Sequence, residues 1–276
     1  MKAIVNTAVC GLYSQPTRQC TLEDEALLGM VVDILEDVAP GWVRIRTHYR
    51  YEGVVSTDDL IIGDDKAEAW QKLHKKIILH KNACDVLSDP KVQGYIVREL
   101  VRGCIVAPTG EEEGSWAKIA LPDGVTGWVP RGILDEYHAA PLSDDEETLR
   151  NALVDRAMMY MGTHYRWGGK SPRGIDCSGL VSSAYMLCGI LIHRDAKLLE
   201  GFPLYPIEMK DMRKGDAIFF PGHVAMYIGG GRYLHSTARD GDNGLTINSL
   251  IPGEPDFRAD LLDSITEIGS YFAKKG

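Results

Sequence analysis

One cysteine in the second half of the sequence has the surroundings of a reactive thiol. Cys177 follows a loop rich in Gly and Pro, YRWGGKSPRGID, and opens an apolar segment, CSGLVSSAYMLCGI, that ends at Gly189. This pattern predicts a helix with Cys177 at its N-terminus. There, unpaired backbone N–H groups and the helix dipole are expected to lower the pKa of the thiol, and the same groups could donate to an oxyanion. Cys188, at the helix end, is predicted to be a core residue.

Two histidines supply the other half of a nucleophilic site. A cysteine nucleophile needs a base within hydrogen-bond reach, and the base needs a third group that fixes its ring. The sequence GGG (229–231) predicts a hairpin in which His223 lies opposite Thr237 and His235 lies opposite Ala225. The histidines then share one face and lie one diagonal step apart, and a register shifted by two would place them directly opposite.

The elements expected to position these residues are one further helix and a small sheet. Ser143 and Glu146 fit a capping box before apolar residues at helical spacing, which predicts a helix that stops near Gly162. Four β-rich runs separated by Gly turns predict an antiparallel sheet. The runs are DAIFF (216–220), HVAMYI (223–228), RYLHST (232–237) and LTINSL (245–250).

The first half of the chain is an internal duplication. At a fixed offset of 74 residues, Cys10 matches Cys84, Gly29 matches Gly103 and Trp42 matches Trp116. Each copy is β-rich, with short runs between turn residues, which favours a small barrel. Between the copies, Trp70, Leu73 and Ile77 form one apolar stripe of a short helix. The predicted divisions are barrels at 1–64 and 78–138, a helical linker at 65–77 and a third domain at 139–276.

Composition limits the classes of function. The chain has 276 residues and a net charge of −9, which argues against nucleic-acid binding and, weakly, against binding to anionic wall polymers. Six cysteines without a CxxC pair indicate neither a zinc site nor a disulfide framework. No run has the length of a membrane span or a signal peptide. A cytoplasmic protein is expected, or a secreted one if a leader has been trimmed; the sequence does not define the oligomeric state.

Residues 151–250 resemble the NlpC-type branch of papain-like cysteine peptidases. The motif G-x-D-C-S-G-L-V lies at 174–181, G-H-V-A-x-Y-I-G at 222–229, Y-L-H-S at 233–236 and Y-x-W-G-G at 165–169. The two repeats resemble bacterial SH3-like domains, at about residues 1–64 and 78–136. The resemblance implies an α+β fold in which the nucleophile helix packs on an antiparallel sheet, and a catalytic triad of Cys177, His223 and His235.

The arrangement of two SH3-like domains before the peptidase resembles γ-D-glutamyl-L-diamino-acid endopeptidases. That subgroup cleaves small peptidoglycan stem peptides with a free N-terminal L-Ala and uses no cofactor. The resemblance implies that Asp176 and Ser178 help hold the substrate ammonium, and that the site lies where the peptidase meets the first barrel. Tyr165 is implied as an oxyanion or substrate contact. Tyr51, or alternatively Tyr49, is implied to close the pocket.

Other interpretations of the same residues remain open. An amidase or acyltransferase could use the same Cys–His pair, and a general wall hydrolase would accept other peptides. A non-enzymatic wall-binding protein is disfavoured by the intact triad. A metal site would need a ligand besides Cys177, His223 and His235, and no candidate is apparent. The subgroup's P-R-D-A segment is replaced by His193–Ala196. His193 and His164 are interpreted as loop residues.

Overall fold

A computed structural model of the chain describes residues 1–273. They divide into two compact units between Tyr137 and His138. Within the described residues, no helix is long and apolar enough to cross a bilayer. The mixture of antiparallel sheets with few helices confirms the predicted α+β class.

The first unit contains two antiparallel sheets of seven strands each, ordered β3-β2-β6-β5-β4-β1-β7 and β10-β9-β13-β12-β11-β8-β14. The strands of the first repeat are β1 Lys2–Val5, β2 Val9–Tyr13, β3 Leu22–Leu27, β4 Val31–Ala39, β5 Trp42–Thr47, β6 Glu52–Ser56 and β7 Leu60–Ile62. Helix α1, Asp64–Lys72, comes next. The strands of the second repeat are β8 Lys76–Ile78, β9 Ala83–Leu87, β10 Ile96–Val101, β11 Ile105–Glu113, β12 Trp116–Ala120, β13 Thr126–Pro130 and β14 Leu134–Glu136.

The repeat found in the sequence is a repeat of structure. Every strand of the second sheet begins 74 residues after its counterpart, as β8 at Lys76 follows β1 at Lys2. The equivalent glycines Gly29 and Gly103 both have positive φ, and a Cβ on either would collide with the other repeat: with the Ile105 carbonyl oxygen at 2.4 Å, and with Leu27 Cδ1 at 2.4 Å. Glycine is therefore required at both positions by backbone angle and by space.

The helix between the repeats is shorter than predicted. It ends at Lys72, where the Lys75 ammonium donates to the carbonyl oxygens of Trp70, Gln71 and Leu73. These bonds satisfy the carbonyls that a continuing helix would have used. Leu73 is 49% exposed, and Ile77 lies in β8, where it pairs with Ile105. The predicted stripe Trp70–Leu73–Ile77 is therefore wrong beyond Trp70.

The second unit has a six-stranded antiparallel sheet, ordered β17-β22-β18-β19-β20-β21, with helices packed against it. Its helices are α2 Glu146–Met158, α3 Cys177–Leu187 and α4 Ala259–Leu262. Its strands are β15 Lys170–Ser171, β16 Gly174–Ile175, β17 Tyr205–Pro206, β18 Ala217–Phe220, β19 His223–Gly229, β20 Arg232–Thr237, β21 Gly244–Ser249 and β22 Glu267–Ser270. The short strands β15 and β16 form a separate hairpin directly before α3.

Helix α3 is the buried centre of this unit. It packs against α2, β19 and β20, and Leu180, Ala184 and Tyr185 have no exposed surface. The Tyr185 hydroxyl donates to the Gly215 carbonyl at 2.5 Å, which satisfies the one polar group of a buried ring. Truncating a fully buried leucine such as Leu180 costs about 2–5 kcal/mol. The helix that carries Cys177 is thus held against the sheet by its whole length.

Helix α2 is fixed to the same sheet by a buried ion pair. Arg150 donates to Asp216 Oδ1 at 2.9 Å and to the Lys214 carbonyl at 2.7 Å. The N-cap of α2 is Asp145, whose carboxylate accepts from the Thr148 N–H at 2.8 Å. The predicted capping box is therefore displaced, because the Ser143 hydroxyl instead accepts from the Asp145 N–H outside the helix.

Candidate active site

Cys177 is the first residue of α3, as the sequence predicted. Asp176 is the N-cap, and its Oδ1 accepts from the Gly179 N–H at 2.6 Å. The preceding loop is drawn onto the same carboxylate, since the Gly168 N–H donates to Asp176 Oδ2 at 2.8 Å. The thiol is buried, with the residue only 6% exposed. Asp176 therefore sets both the start of the helix and the path of the loop that covers it.

The glycines around Cys177 are dictated by close packing. A Cβ on Gly179 would lie 2.1 Å from the Gly169 carbonyl oxygen, and a Cβ on Gly169 would lie 2.3 Å from the Gly174 carbonyl oxygen. Such distances leave no room for any side chain. The Gly residues of the loop and of the first helical turn allow the backbone of 168–169 to lie directly against the nucleophile's turn.

Arg194 contacts the start of α3 and the loop before it, which together form the helix side of the site. Its guanidinium donates to Asp176 Oδ1 and to Asp176 Oδ2, each at 3.0 Å, to Ser178 Oγ at 2.7 Å and to the Gly169 carbonyl at 3.3 Å. Arg194 is 2% exposed. The two parallel bonds to one carboxylate are the bidentate geometry that an arginine makes best. Sequence reasoning gave Arg194 no role, although the segment 193–196 was noted for its departure from the subgroup's pattern.

The carboxylate of Asp176 is heavily hydrogen-bonded. It already receives five donors, from Gly168, Ser178, Gly179 and, twice, Arg194, whereas a carboxylate offers about four lone-pair sites. Asp176 thus positions the loop and the helix start, and its implied contact with a substrate ammonium stays a prediction. The Ser178 hydroxyl donates to Asp176 at 3.3 Å and accepts from Arg194.

The strand side carries both histidines. In the β19–β20 hairpin, Met226 pairs with Leu234 and Tyr227 with Tyr233, which is the predicted register; a bulge then pairs Gly229, rather than Ile228, with Arg232. In this register the rings meet diagonally, with His223 Nε2 2.8 Å from His235 Nδ1. The bulge takes one residue out of the predicted three-residue turn and into β19, and it leaves the part of the hairpin that carries the histidines unshifted.

The histidine chain has a third member, which sequence reasoning missed. His235 Nε2 lies 2.9 Å from Asn248 Oδ1, and Asn248 Nδ2 donates to the Asp256 carbonyl at 2.9 Å. Asn248 is on β21, where Tyr233 is its direct cross-strand partner and His235 pairs with Thr246. The period-two alternation of LTINSL was the signal that could have placed Asn248 on the histidine face, but only with the β20–β21 register in hand.

Helix and strand meet at the thiol. The backbone N–H groups of Val224, the residue after His223, and of Ser178 both act on the Cys177 thiol and lower its pKa. Burial and the Asp176 carboxylate raise the pKa of Cys177, while these two N–H groups and Arg194 lower it; the net effect is an increase. The expected lowering of this pKa at the helix N-terminus is therefore wrong, because desolvation outweighs the N–H groups.

Both histidines are neutral near neutral pH. Burial, His235 and Arg258 lower the pKa of His223 to about 3. Burial, opposed by the hydrogen bond to Asn248, also lowers the pKa of His235. The unit therefore carries a protonated thiol and a neutral imidazole. Such a pair can act by general-base catalysis, in which the proton leaves sulfur as the carbonyl is attacked.

Tyr165 lies near the nucleophile and stays protonated. Burial first, then Cys177 and Asp176, raise its pKa to about 12. Its backbone is held at the loop by the bridge to Ile175 and by a 3.3 Å bond from its N–H to the Asn243 carbonyl. A neutral phenol beside the thiol is a hydrogen-bond donor that a developing oxyanion could use.

The two tyrosines implied for the far side of the pocket belong to the first unit. The buried Tyr49 donates its hydroxyl to Asp24 Oδ2 at 2.6 Å and to the Glu25 carbonyl at 3.2 Å. Tyr51 is half-buried, and its backbone pairs with Thr47. The structure thus brings Cys177, His223, His235, Asp176, Ser178 and Tyr165 into one unit; the roles of Tyr49 and Tyr51 stay predictions.

A small cleft opens beside the nucleophile's turn. Its lining is mainly apolar, with a few polar groups at one end; it includes Ser178, His193, Lys197, Phe202, Phe219 and Val224. His193 lies in a loop, as predicted, but it has partners there: its ring packs on Phe202, and its Nε2 is 3.5 Å from Asp195 Oδ2. Among residues 1–273, no group of three or more His, Cys, Asp or Glu side chains is arranged to hold a metal ion.

Known proteins resemble the chain over its whole length. The model of the NlpC/P60 family matches residues 162–251. Dipeptidyl-peptidase 6 of Lysinibacillus sphaericus is 40% identical over 275 residues, which cover 99% of this chain and 100% of that protein. The γ-D-glutamyl-L-lysine dipeptidyl-peptidase of Bacillus cereus is 27% identical over 78% of this chain and 67% of its own.

A solved structure has the same fold. The crystal structure of an NlpC/P60 family protein from Bacillus cereus matches with a TM-score of 0.79 at 21% identity, over 99% of this chain and 100% of that one. At this level of identity the match bears on the fold. It confirms the predicted combination of a β-rich first half with a papain-like second half.

Proposed function

Because the chain belongs to the NlpC/P60 family of cysteine peptidases, we propose that it cleaves the γ-D-glutamyl–diamino acid bond of peptidoglycan stem peptides that have a free N-terminal L-Ala. The observation that carries the proposal is the full-length match to a dipeptidyl-peptidase 6, and it is supported by Cys177 at the start of α3 and by the 2.8 Å contact between His223 and His235. The second relative's name points to the same γ-D-glutamyl bond.

In the proposed reaction Cys177 is the nucleophile and His223 its base. As Sγ attacks the γ-carbonyl of D-Glu, its proton passes to His223, and the resulting imidazolium then donates that proton to the leaving amine. The thioester that remains is hydrolysed by water, with His223 again acting as the base. His235 orients His223 through the 2.8 Å contact between their rings.

The oxyanion of each tetrahedral intermediate needs donors in place before the reaction. The Ser178 N–H at the first turn of α3 is one candidate, since it already acts on the Cys177 thiol and lowers its pKa. The phenol of Tyr165 is the second. Preorganised donors of this kind contribute about 3–4 kcal/mol each to lowering the barrier.

The substrate's charged groups would be recognised near Ser178 and the tyrosines named above. Ser178 borders the cleft, and its hydroxyl keeps acceptor capacity beyond the bond from Arg194. The roles of Tyr51 and Tyr49 at the substrate's N-terminus rest on the family resemblance. A cytoplasmic location, which would suit the recycling of small murein peptides, stays a prediction from the sequence.

The test is hydrolysis of L-Ala-γ-D-Glu-meso-diaminopimelate and of its N-acetylated form, read by mass spectrometry with Cys177→Ala as the control. We expect cleavage of the free-amine peptide alone, with release of L-Ala-D-Glu and no turnover by Cys177→Ala. Cleavage of both peptides would indicate a general wall hydrolase. An unchanged peptide together with alkylation of Cys177 by iodoacetamide would contradict the proposed substrate and favour an amidase or acyltransferase.

A further inference from the structure

The chain of hydrogen bonds behind His223 ends on a group whose role is chemically fixed. The Asp256 carbonyl oxygen can only accept, and it receives the Ser249 N–H at 3.1 Å and one side-chain atom of Asn248 at 2.9 Å. That atom must be the amide nitrogen, because the amide oxygen would meet the carbonyl oxygen without a proton between them. The orientation of the Asn248 amide is thus set by the main chain.

This orientation determines each proton along the chain. With Nδ2 turned to Asp256, Asn248 presents Oδ1 to His235 Nε2 at 2.9 Å, so that nitrogen must carry the proton. The other nitrogen of His235, Nδ1, then has a lone pair and accepts from His223 Nε2 at 2.8 Å. His223 is left with a bare Nδ1, which is the state that a general base requires.

We propose that Asn248 is a positioning residue that sets the tautomers of both histidines and thereby keeps the base of the nucleophile unprotonated at Nδ1. The inference rests on the proposed role of His223 as the base. Asn248 acts through His235 and has no contact with the reacting atoms in this arrangement. Asn248 is 7% exposed and His235 is 1% exposed, so water cannot take the place of the amide.

The experiment has a readout that does not depend on the substrate. Long-range ¹H–¹⁵N spectra of the full chain with ¹⁵N-labelled histidine report the tautomer of each ring, and His223→Gln and His235→Gln variants assign the signals. In the wild type we expect both rings as the Nε2–H form. In Asn248→Leu, His235 loses its acceptor, and we expect part of the population of both rings to shift to the Nδ1–H form.

The kcat of each variant should fall in proportion to the loss of the Nε2–H tautomers. We expect kcat of Asn248→Leu to fall about 10- to 100-fold with KM nearly unchanged, since a wrong tautomer removes the base without removing substrate contacts. Asn248→Asp keeps an acceptor for His235 Nε2, and its carboxyl must be protonated to donate to the Asp256 carbonyl as the amide does; in that neutral form it should retain the Nε2–H forms and an activity about ten-fold above that of the Leu variant. Thr246→Val, on the same strand and opposite His235, is the matched control and should leave both tautomers unchanged.

The proposal would be overturned by a folded Asn248→Leu protein that has the wild-type tautomers and a kcat within about two-fold of the wild-type value. If that variant does not fold, Asn248→Asp decides: loss of the Nε2–H form of His235 there would overturn it equally. If the wild type does not cleave the peptide, the proposed function fails on its own. The tautomer spectra and the rate of Cys177 alkylation then still test the role of Asn248.

Discussion

On the helix side of the site, the groups around Cys177 are charged and saturated with hydrogen bonds. On the strand side, the chain from His223 to Asn248 is neutral, and its hydrogen bonds run in series. The Asp176–Arg194 pair is buried on both partners. Burial of charge is tolerated only when the charges are paired and hydrogen-bonded, which fits the five donors on Asp176.

The difference separates two requirements of a nucleophilic site. A helix start and a Gly-rich loop must be held in one geometry, and a multiply bonded ion pair does this rigidly. A base must instead gain and lose a proton at each turnover, which a permanent charge next to it would hinder. Burial that lowers the pKa of His223 to about 3 keeps it neutral between turnovers.

The largest effect is expected from the strand side. His223→Ala should lower kcat by at least about 1000-fold, because the thiol loses its base and the leaving amine loses its acid. The fold should persist, as judged by circular dichroism. The control is His74→Ala, which removes an exposed histidine of the first unit and should leave kcat unchanged. A His223→Ala enzyme with a tenth of wild-type kcat would mean that another group is the base.

Substitutions on the helix side should lower the free energy of unfolding. Arg194→Met leaves the Asp176 carboxylate buried without its cation and should lower the free energy of unfolding by about 3–5 kcal/mol. Adding Asp176→Asn to that variant removes the uncompensated charge and should recover part of the loss. Urea-induced unfolding measures both.

The control for Arg194 is an exposed pair on the first sheet. Arg44→Met removes the cation from Glu36, and both side chains are more than a third exposed. Its cost should stay below about 1 kcal/mol. Equal costs for Arg194→Met and Arg44→Met would show that the buried pair does not hold the nucleophile's turn.

Each side of the site contains elements that the sequence predicted and one residue that it did not. The nucleophile helix, the hairpin register and the 74-residue repeat were predicted correctly because each depends on local signals: a Gly-rich loop before an apolar segment, a GGG turn and a repeated strand spacing. Arg194 and Asn248 were missed because their partners are set by tertiary packing. Asn248 reaches His235 only through the β20–β21 register, which no tight turn defines.

Local reasoning also failed where two physical effects oppose each other. The helix N-terminus lowers the pKa of Cys177, but the depth of burial decides the net direction, and burial cannot be derived from sequence spacing. At α1, propensity predicted a helix to residue 77, whereas bonds from the Lys75 ammonium and the pairing of β8 with β11 end it at Lys72. The pKa of Cys177 and the end of α1 are both decided by groups outside the helix itself, which local sequence patterns do not reveal.

A smaller effect on kcat is expected from Tyr165, which lies near the nucleophile. Tyr165→Phe keeps the ring and removes the donor, so kcat should fall about 100-fold while KM changes little, if the phenol serves the oxyanion. Tyr205→Phe, at a half-buried position on β17, is the matched control. A rise in KM with an unchanged kcat would instead assign Tyr165 to substrate binding.

The smallest effect should appear in stability as a function of pH. The folded-state pKa of His223, about 3, lies below its ordinary value of 6.5. Between these values the unfolded chain binds a proton that the folded protein does not. Stability from this group is therefore complete above about pH 6.5 and is lost as the pH falls, by at most about 1.4 kcal/mol per pH unit. His235, with its pKa also lowered, adds in the same direction.

The informative window is about pH 6.5 to 5, because carboxylates with lowered pKa lose their contribution in more acidic solution. The charged groups acting on the two rings are Arg258, which lowers both pKa values, and Asp242, which raises that of His235. His223→Gln can still donate to His235 but does not titrate, so its free energy of unfolding should fall less steeply than that of the wild type across this window. Parallel slopes for the two proteins would mean that His223 takes up a proton equally in the folded and the unfolded state, and the contrast between a charged helix side and a neutral strand side would be lost.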